Sequence, residues 1–258
     1  MVNSSFQDLD LVNNSGSFKN VLKPKEYNTS IKVDKNEITA KADFHKSLPF
    51  IFKLTSYSNR MTFNRTKVQS FGGYGGRSTC GKTVTILYYK NDNNFAIKLD
   101  TKSTEDEIIL LKDKVSFSTM NEVVKEVYTK IEVGEKEKKS KNKSWKYDFE
   151  KNDFVLIPKI NFNLEHNFST IEGNRFLVNK EEFEITTFWQ RNAFILDEAG
   201  AIIESEAKIG MKSTEDQLLR QPKRMIFDEP FFVMFKKKNS ENPYFCLWIA
   251  NEELMIKE

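Results

Sequence analysis

The chain has few of the residues that build stapled or metal-bound domains. In 258 residues it contains two cysteines, Cys80 and Cys246, and two histidines, His45 and His166. Two cysteines cannot form a disulfide framework. Two distant histidines, without a cysteine or histidine at ligand spacing, predict no metal site. Glycine and proline, at 10 and 6 residues, are also scarce, which argues against a disordered chain.

Long apolar runs and an excess of one charge are missing as well. No run is long enough to span a bilayer, and the polar start MVNSSFQDLDLVNNSGS lacks the apolar stretch of a signal peptide. The 40 basic residues nearly balance the 37 acidic ones, leaving a net charge of +3. The sequence therefore predicts no membrane partner and no nucleic-acid partner. The lack of a signal peptide favours an intracellular location, with an extracellular one as the alternative.

Strand-like segments fill most of the chain, and its 22 phenylalanines suit sheets with large buried faces. KTVTILYYK and FAIKLD around the turn NDNN predict a hairpin. MIFDEPFFVMFK and YFCLWIA around KKNSENP predict a second, terminal hairpin. Its strands are apolar on both faces, so they should be central and covered on both sides.

Helix signals occur in three places. SFKNVL predicts a short helix near the N-terminus, STEDEIILLK begins with a Ser/Thr cap and acids in its first turn, and TMNEVVKEVYTKI spaces apolar side chains four apart. The charge run that follows, residues 134–147, predicts a solvated loop, with polyanion binding as the alternative.

One segment matches a phosphate-binding motif. GRSTCGKT, from Gly76 through Lys82 to Thr83, fits G-x-x-x-x-G-K-[ST], and FILDE at 194–198 is similar to an apolar run whose acids hold magnesium. A phosphate loop must open a helix, whereas the residues after Thr83 read as a strand. A glycine-rich connection into a strand is therefore favoured, with a P-loop NTPase as a minor alternative.

Six segments, in chain order, resemble the motifs of one family. NNSGSFKNVLKP is similar to T-x-G-x-I-x-x-x-L, ITAKADFHKSLPF ends like F-x-x-P-F, and KTVTILYYKNDNNFAIKLD resembles L-P-Y-K-G-x-x-x-S-M-x-I-x-L-P. FVLIPKINFNLEHNF resembles L-P-K-F-x-I-E-x-x-x-x-L, NAFILDEAGAIIESEA resembles a hinge reading F-I-E-V-N-E-E-G-T-E-A-A-A-A, and FDEPFFVMF resembles F-x-x-P-F-x-F. These motifs are those of the serpins, protease inhibitors that trap their target by loop insertion.

The resemblance implies one serpin-like α+β domain over residues 1–258, with a large mixed β-sheet, smaller antiparallel sheets and few helices. It would include an N-terminal polar segment with a short helix (1–37), the charged loop (134–147) and a reactive-loop-like segment (199–224). The family's N-terminal helical portion has no counterpart. Leu48 lies near the position of an expected tryptophan, and Leu247 occupies that of a glycine. These departures leave the resemblance of the fold intact and bear on inhibitory activity.

The resemblance also implies the chemistry of the reactive loop. The protease's serine attacks the loop, and the cut loop then inserts as a new strand. An inserted strand needs small or apolar side chains at every second position. Counted from Gly200 as the hinge glycine, every second residue from Ala201 to Ala207 is small or apolar, as insertion requires. An ordinary edge strand would show the same pattern. The predicted hinge residues are Glu198, Gly200, Ala201, Ile203, Ser205 and Ala207.

The scissile bond has two predicted positions. Counting from the hinge by family spacing reaches Thr214 and Glu215, whereas counting back from FDEPF reaches Leu219 or Arg220. Arg220, with Gln221 on the leaving side, would suit a trypsin-like protease.

Two functions therefore compete, and neither needs a catalytic group or a cofactor in this chain. The first is inhibition of a serine or cysteine protease, with reduced competence as one form of it. The second is a non-inhibitory binding or structural protein, in which a partner protein or a second copy covers sheet surface left exposed by the missing helices.

Overall fold

The computed structural model describes residues 27–34, 37–44, 46–114, 117–178, 181–201 and 221–258. Contacts along the chain divide it into two units. Unit 1 comprises residues 1–46 and 162–193, and unit 2 comprises residues 47–161 and 194–258. The predicted short helix SFKNVL lies outside the described residues.

Unit 2 contains a five-stranded antiparallel sheet in the order β17-β16-β8-β7-β6. Its strands are β6 (Val84–Asn91), β7 (Asn94–Leu99), β8 (Asp106–Lys112), β16 (Phe231–Lys237) and β17 (Pro243–Ile249). Both predicted hairpins are confirmed, since β6 pairs with β7 and β16 with β17. All of β16 is buried, as its unbroken apolar run predicts. The prediction of a central position is wrong for β17, which is the edge strand and is half-buried along most of its length.

Unit 2 also contains a four-stranded sheet in the order β15-β9-β5-β4, in which β15 runs parallel to β9. Its strands are β4 (Thr55–Phe63), β5 (Thr66–Tyr74), β9 (Phe154–Pro158) and β15 (Arg224–Ile226). A short ladder joins β3 (Leu48–Pro49) to β14 (Gly200–Ala201).

The described strands of unit 1 form two-stranded ladders. β1 (Tyr27–Asp34) pairs with β2 (Glu37–Phe44), and β11 (Arg175–Val178) pairs with β12 (Glu181–Glu184). A further two-stranded ladder joins β10 (Ile160–Asn167) to β13 (Trp189–Leu196), and both strands run from one unit into the other.

The segment STEDEIILLK is a strand and not the predicted helix. The Ser103 hydroxyl accepts the backbone N–H groups of Glu105 and Asp106, so the capping signal forms a turn that leads into β8. β8 then lies between β7 and β16, and its apolar residues 108–111 are buried. A strand covered on both faces has no alternation, and an unbroken apolar run cannot be distinguished from a buried helix by periodicity.

The long helix is confirmed and extends further than predicted, over Met120–Lys138. Its valines at 123, 124 and 127 are buried against side chains of β7, β8 and β16, including Ala96, Ile109 and Phe232. Residues 134–147 are therefore not a loop throughout, because the helix continues to Lys138 and a 3-10 helix spans Ser144–Tyr147.

Close packing explains the extension of the helix. A Cβ on Gly134 would lie 1.9 Å from the carbonyl oxygen of Leu87, so the glycine lets the helix approach β6. Glu137 then joins the helix end to the 3-10 helix, through Lys143 at 2.7 Å and the Tyr147 hydroxyl at 2.9 Å.

The predominance of strands over few helices confirms the α+β class and the prediction of several sheets. Across the part of the chain that the structure describes, no helix has the length and apolar character to cross a membrane.

Candidate functional site

The predicted site residues fall in three groups. Glu198, Gly200 and Ala201 lie where β13 ends, and Gln221 is exposed just before β15. The remaining residues are outside the described part of the chain, so their roles stay predictions. They are Ile203, Ser205, Ala207, Thr214, Glu215, Leu219 and Arg220.

After β13 the chain reverses in a tight turn, and we call residues Asp197–Ala201 the loop stem. The Asp197 carboxylate accepts the N–H of Ala199 at 2.8 Å, and the backbones of Asp197 and Gly200 exchange hydrogen bonds at 3.2 and 3.3 Å. An aspartate that accepts from the residue two positions on is a common turn device. The turn holds the start of the predicted loop in one conformation.

The loop stem pairs with β3 and the residues after it. Phe50 donates its N–H to the Ala199 carbonyl at 3.0 Å, and Leu54 donates to the Glu198 carbonyl at 2.8 Å. Gly200 lies opposite Pro49 in the ladder. The Phe50 side chain is buried and contacts Phe71, with ring centroids 6.1 Å apart. The stem is therefore attached to the core of unit 2 through its backbone.

A carboxylate and two lysines form the charged part of the stem. Glu198 lies 2.7 Å from the Nζ of Lys159 and 3.9 Å from that of Lys53, and its side chain is 16% exposed. Burial raises the pKa of the Glu198 carboxyl, but the two lysines outweigh burial and leave the pKa below its ordinary value. The ion pair is therefore fully formed at neutral pH.

The loop stem should lose stability in acid. Because the folded-state pKa of Glu198 lies below its usual value of 4.5, the contribution of the ion pair is complete above about pH 4.5 and disappears as the pH falls through the folded-state value. We expect Glu198→Gln to lower the free energy of unfolding by roughly 1 kcal/mol at neutral pH, since the pair is partly exposed, and by progressively less in acid. Urea unfolding at several pH values measures this.

The exposed Glu253 provides the control for this titration. Glu253→Gln should change the free energy of unfolding little at any pH. A Glu198→Gln defect that persisted unchanged at low pH would show that packing, and not charge, is responsible.

The residues that follow position 220 are anchored on the four-stranded sheet. Asp153 and Lys223 form an ion pair of 2.7 Å, and their side chains are only 4% and 3% exposed. The second carboxylate oxygen of Asp153 accepts the backbone N–H of Lys223 at 2.7 Å. Arg224 then begins β15 beside Phe154. Residues 202–220 thus connect two anchored ends that belong to different sheets.

The GRSTCGKT segment is a connection into a strand, as favoured from the sequence. A helix of only five residues, Thr79–Thr83, precedes β6. The buried Thr83 hydroxyl donates to the Thr79 carbonyl at 2.8 Å, and Lys82 lies 5.4 Å from the centroid of the Phe52 ring. A Cβ on Gly81 would lie 2.0 Å from the Gly76 carbonyl oxygen, so close packing of the connection accounts for this glycine.

The two cysteines are free thiols, with Cys80 buried and Cys246 half-buried. Burial raises the pKa of each thiol to about 12, so neither is a reactive thiolate at neutral pH. Over the described ranges, no three histidine, cysteine, aspartate or glutamate side chains come together as a metal site.

Comparison with known proteins finds likeness in structure and none in sequence. No family model and no curated protein sequence matches the chain. The chain is similar in structure to thyroxine-binding globulin in its complex with thyroxine, with 12% sequence identity and a TM-score of 0.46. That protein is a serpin. The match covers 83% of this chain and 56% of the globulin chain. At this identity and TM-score, the likeness carries no argument.

Sequence reasoning missed the partners that hold the site, namely Lys53, Lys159, Asp153 and Lys223. In a chain with 40 basic residues, a single lysine has no distinguishing local signal. Only Lys159 had a signal that could have marked it as an ion-pair partner, because it is the only charged residue in the apolar run FVLIPKINF. Such an isolated charge is more often paired than exposed.

Proposed function

We propose that the protein presents residues 202–220 to a serine protease as a reactive loop, which is cleaved and then inserts beside β13. The observation that carries this proposal is the reversal at Asp197–Gly200. The backbones of Asp197 and Gly200 pair antiparallel across that turn, next to the end of β13, and among the described strands β13 has only β10 as a partner. An unpaired strand edge is a template for another strand. The alternating small and apolar residues from Ala201 to Ala207 suit one buried face.

The chemistry belongs to the protease. Its serine hydroxyl adds to a loop carbonyl, its own base takes the serine proton, and the loop's amide C–N bond breaks. If Arg220 is the site, its carbonyl becomes an ester of the serine, and the released amine is the N-terminus of Gln221. This chain supplies no catalytic group. It supplies a strand that, on insertion, pulls the ester away from the geometry that hydrolysis requires.

The described contacts fix the chain on both sides of residues 202–220. The residues before this segment are held by the backbone bonds from Phe50 and Leu54 and by the pair between Glu198 and Lys159. The residues after it are held by Asp153 and Lys223. In this proposal, the two attachments oppose pairing along β13 until cleavage frees one end. Cleavage releases the stem side from the anchor at Lys223.

Incubation with trypsin tests the proposal. We expect a protease complex that survives denaturing electrophoresis, a cut after Arg220 by mass spectrometry, and a rise in melting temperature of the cleaved protein. Ala207→Glu should abolish the complex and the rise while leaving the cut, because a charged side chain at an inward position opposes insertion and glutamate adds no site for trypsin. Lys208→Arg, at the neighbouring outward position, is the matched control and should behave like the wild type.

The proposal fails if trypsin cuts the wild-type loop and leaves fully active, with no complex and no rise in melting temperature. That result would favour the second function, a binding or structural protein. One observation supports this alternative independently. Apart from its ladders of two strands, unit 1 has no larger sheet among its described residues, and two-stranded ladders are marginal by themselves.

Exposed apolar side chains in unit 1 also favour a binding or structural function. Leu164 is 54% exposed and Leu177 is 74% exposed, with Phe176 and Phe188 also exposed. A partner protein or a second copy would cover such surface. Light scattering that gives a compact monomer would count against a second copy as the cover.

A further inference from the structure

The end of the long helix concentrates positive charge. Residues 134–146 contain six lysines and two glutamates, which is more net positive charge than the whole chain carries. This segment includes the last helical turn, the bend after it and the 3-10 helix Ser144–Tyr147. The chain therefore has a local basic segment although its overall charge is close to neutral.

One glutamate of the segment is already neutralised within the fold. The Glu137 carboxylate contacts Lys143 at 2.7 Å and Lys146 at 3.1 Å, and it accepts the Tyr147 hydroxyl. The hydrogen bond from Lys143, supported by Lys146 and Tyr147, outweighs burial and lowers the pKa of Glu137 to about 2. These two lysines serve the local structure, and Glu137 is not available to oppose an incoming anion.

The other lysines of the segment face solvent. Lys136, Lys138, Lys139 and Lys141 are exposed, and we call these four residues the lysine surface. Lys138 lies 5.8 Å from the centroid of the Tyr147 ring, while the described residues offer no ion-pair partner to Lys136, Lys139 or Lys141. Lysines in the last turn complement the negative end of a helix. That effect fades beyond the last turn, so it does not account for Lys141.

The neighbouring side chains indicate which anion fits. Binding of single-stranded nucleic acid relies on aromatic side chains that stack on bases, but Trp145 is half-buried, donates its indole N–H to the Asn142 carbonyl and faces Lys223. The segment also contains no arginine. Val133, one helical turn before Lys136, is 38% exposed. An apolar side chain beside long lysine stems suits the headgroup region of a bilayer better than a sulfated polysaccharide.

We propose that the lysine surface docks the protein on an anionic phospholipid surface. Lysines near such a surface attract it through its negative potential, and each changes the partition by about fivefold at moderate salt. The interaction is electrostatic, and it weakens as salt screens the charges. It is independent of the loop, so this proposal and the proposed inhibition can fail separately.

Sedimentation with vesicles tests the docking. The full chain should bind phosphatidylcholine vesicles that contain phosphatidylserine, and it should not bind pure phosphatidylcholine. The triple variant Lys136→Gln, Lys139→Gln, Lys141→Gln should lose binding by about 100-fold, from three lysines at about fivefold each. The corresponding triple arginine variant keeps the charge and should keep the binding. Unchanged melting temperatures establish that both variants are folded.

A matched control removes the same charge elsewhere. Lys67, Lys90 and Lys102 are exposed and lie outside the lysine surface, so replacing them with glutamine should leave vesicle binding nearly intact. Equal losses in the two glutamine variants would overturn the proposal, because binding would then follow net charge alone. Binding to a sulfated polysaccharide or to RNA, without binding to the vesicles, would overturn it as well.

Discussion

Asp153→Asn is expected to lower the free energy of unfolding by about 3–5 kcal/mol, because it removes the charge that compensates a buried lysine. Asp153 and Lys223 are 2.7 Å apart, and less than a twentieth of either side chain is exposed. The amide that replaces the carboxylate also cannot accept as well from both backbone N–H groups that Asp153 now serves, those of Lys223 and Glu150. Urea unfolding of the purified variant measures the loss.

Two further variants separate the charge from its surroundings. Asp148→Asn changes an exposed carboxylate five residues earlier and should cost little. The double variant Asp153→Asn, Lys223→Met removes both charges but keeps an acceptor for the backbone N–H groups, and it should recover much of the stability lost in Asp153→Asn. If the Asp153→Asn variant were as stable as the wild type, the stability of the fold would not depend on compensation of the buried Lys223 charge by Asp153.

Gly200→Ala is expected to disrupt the loop stem. Gly200 has a φ of +116°, and a Cβ there would lie 2.6 Å from both the Leu48 carbonyl oxygen and the Phe50 nitrogen. The backbone conformation alone costs about 1–3 kcal/mol for a residue with a side chain, and the overlap with β3 adds to it. Hydrogen exchange should quicken at the amides of Phe50 and Leu54, which donate to the stem.

Gly173 provides a control that isolates the overlap. Its φ of +82° is also positive, but a Cβ there would meet nothing within 4 Å. Gly173→Ala should therefore show the cost of the backbone conformation without the collision. If the two variants lose the same stability and neither changes exchange at Phe50, the close approach of Gly200 to β3 is not what holds the stem.

The elements that sequence reasoning predicted correctly have complete local signals. The hairpin of β6 and β7 combines β-branched and aromatic strands with an Asn/Asp turn, and the long helix combines a Thr119 cap with regularly spaced valines. β8 was predicted wrongly as a helix because a Ser/Thr cap followed by acids also forms turns, and an unbroken apolar run occurs in both helices and buried strands. Only its pairing with β7 and β16 decides between them.

The candidate site was likewise predicted only where its signals are local in the sequence. The resemblance marked Glu198 and Gly200, and the turn at Asp197 follows from short-range chemistry. The partners of these residues come from distant parts of the chain. Lys159 lies in the link between β9 and β10, and Phe50 directly follows β3. Such pairings depend on the order of strands in the sheets, which a single sequence does not reveal.

The position of β16 determines how a nicked molecule would behave. A cut after Arg220 leaves a short C-terminal peptide that supplies β15, β16 and β17, and β16 lies between two neighbours in the five-stranded sheet. The two pieces would stay together as a non-covalent heterodimer. Gel filtration would report an intact protein, affinity tags at either terminus would retrieve both pieces, and only denaturation would reveal the break.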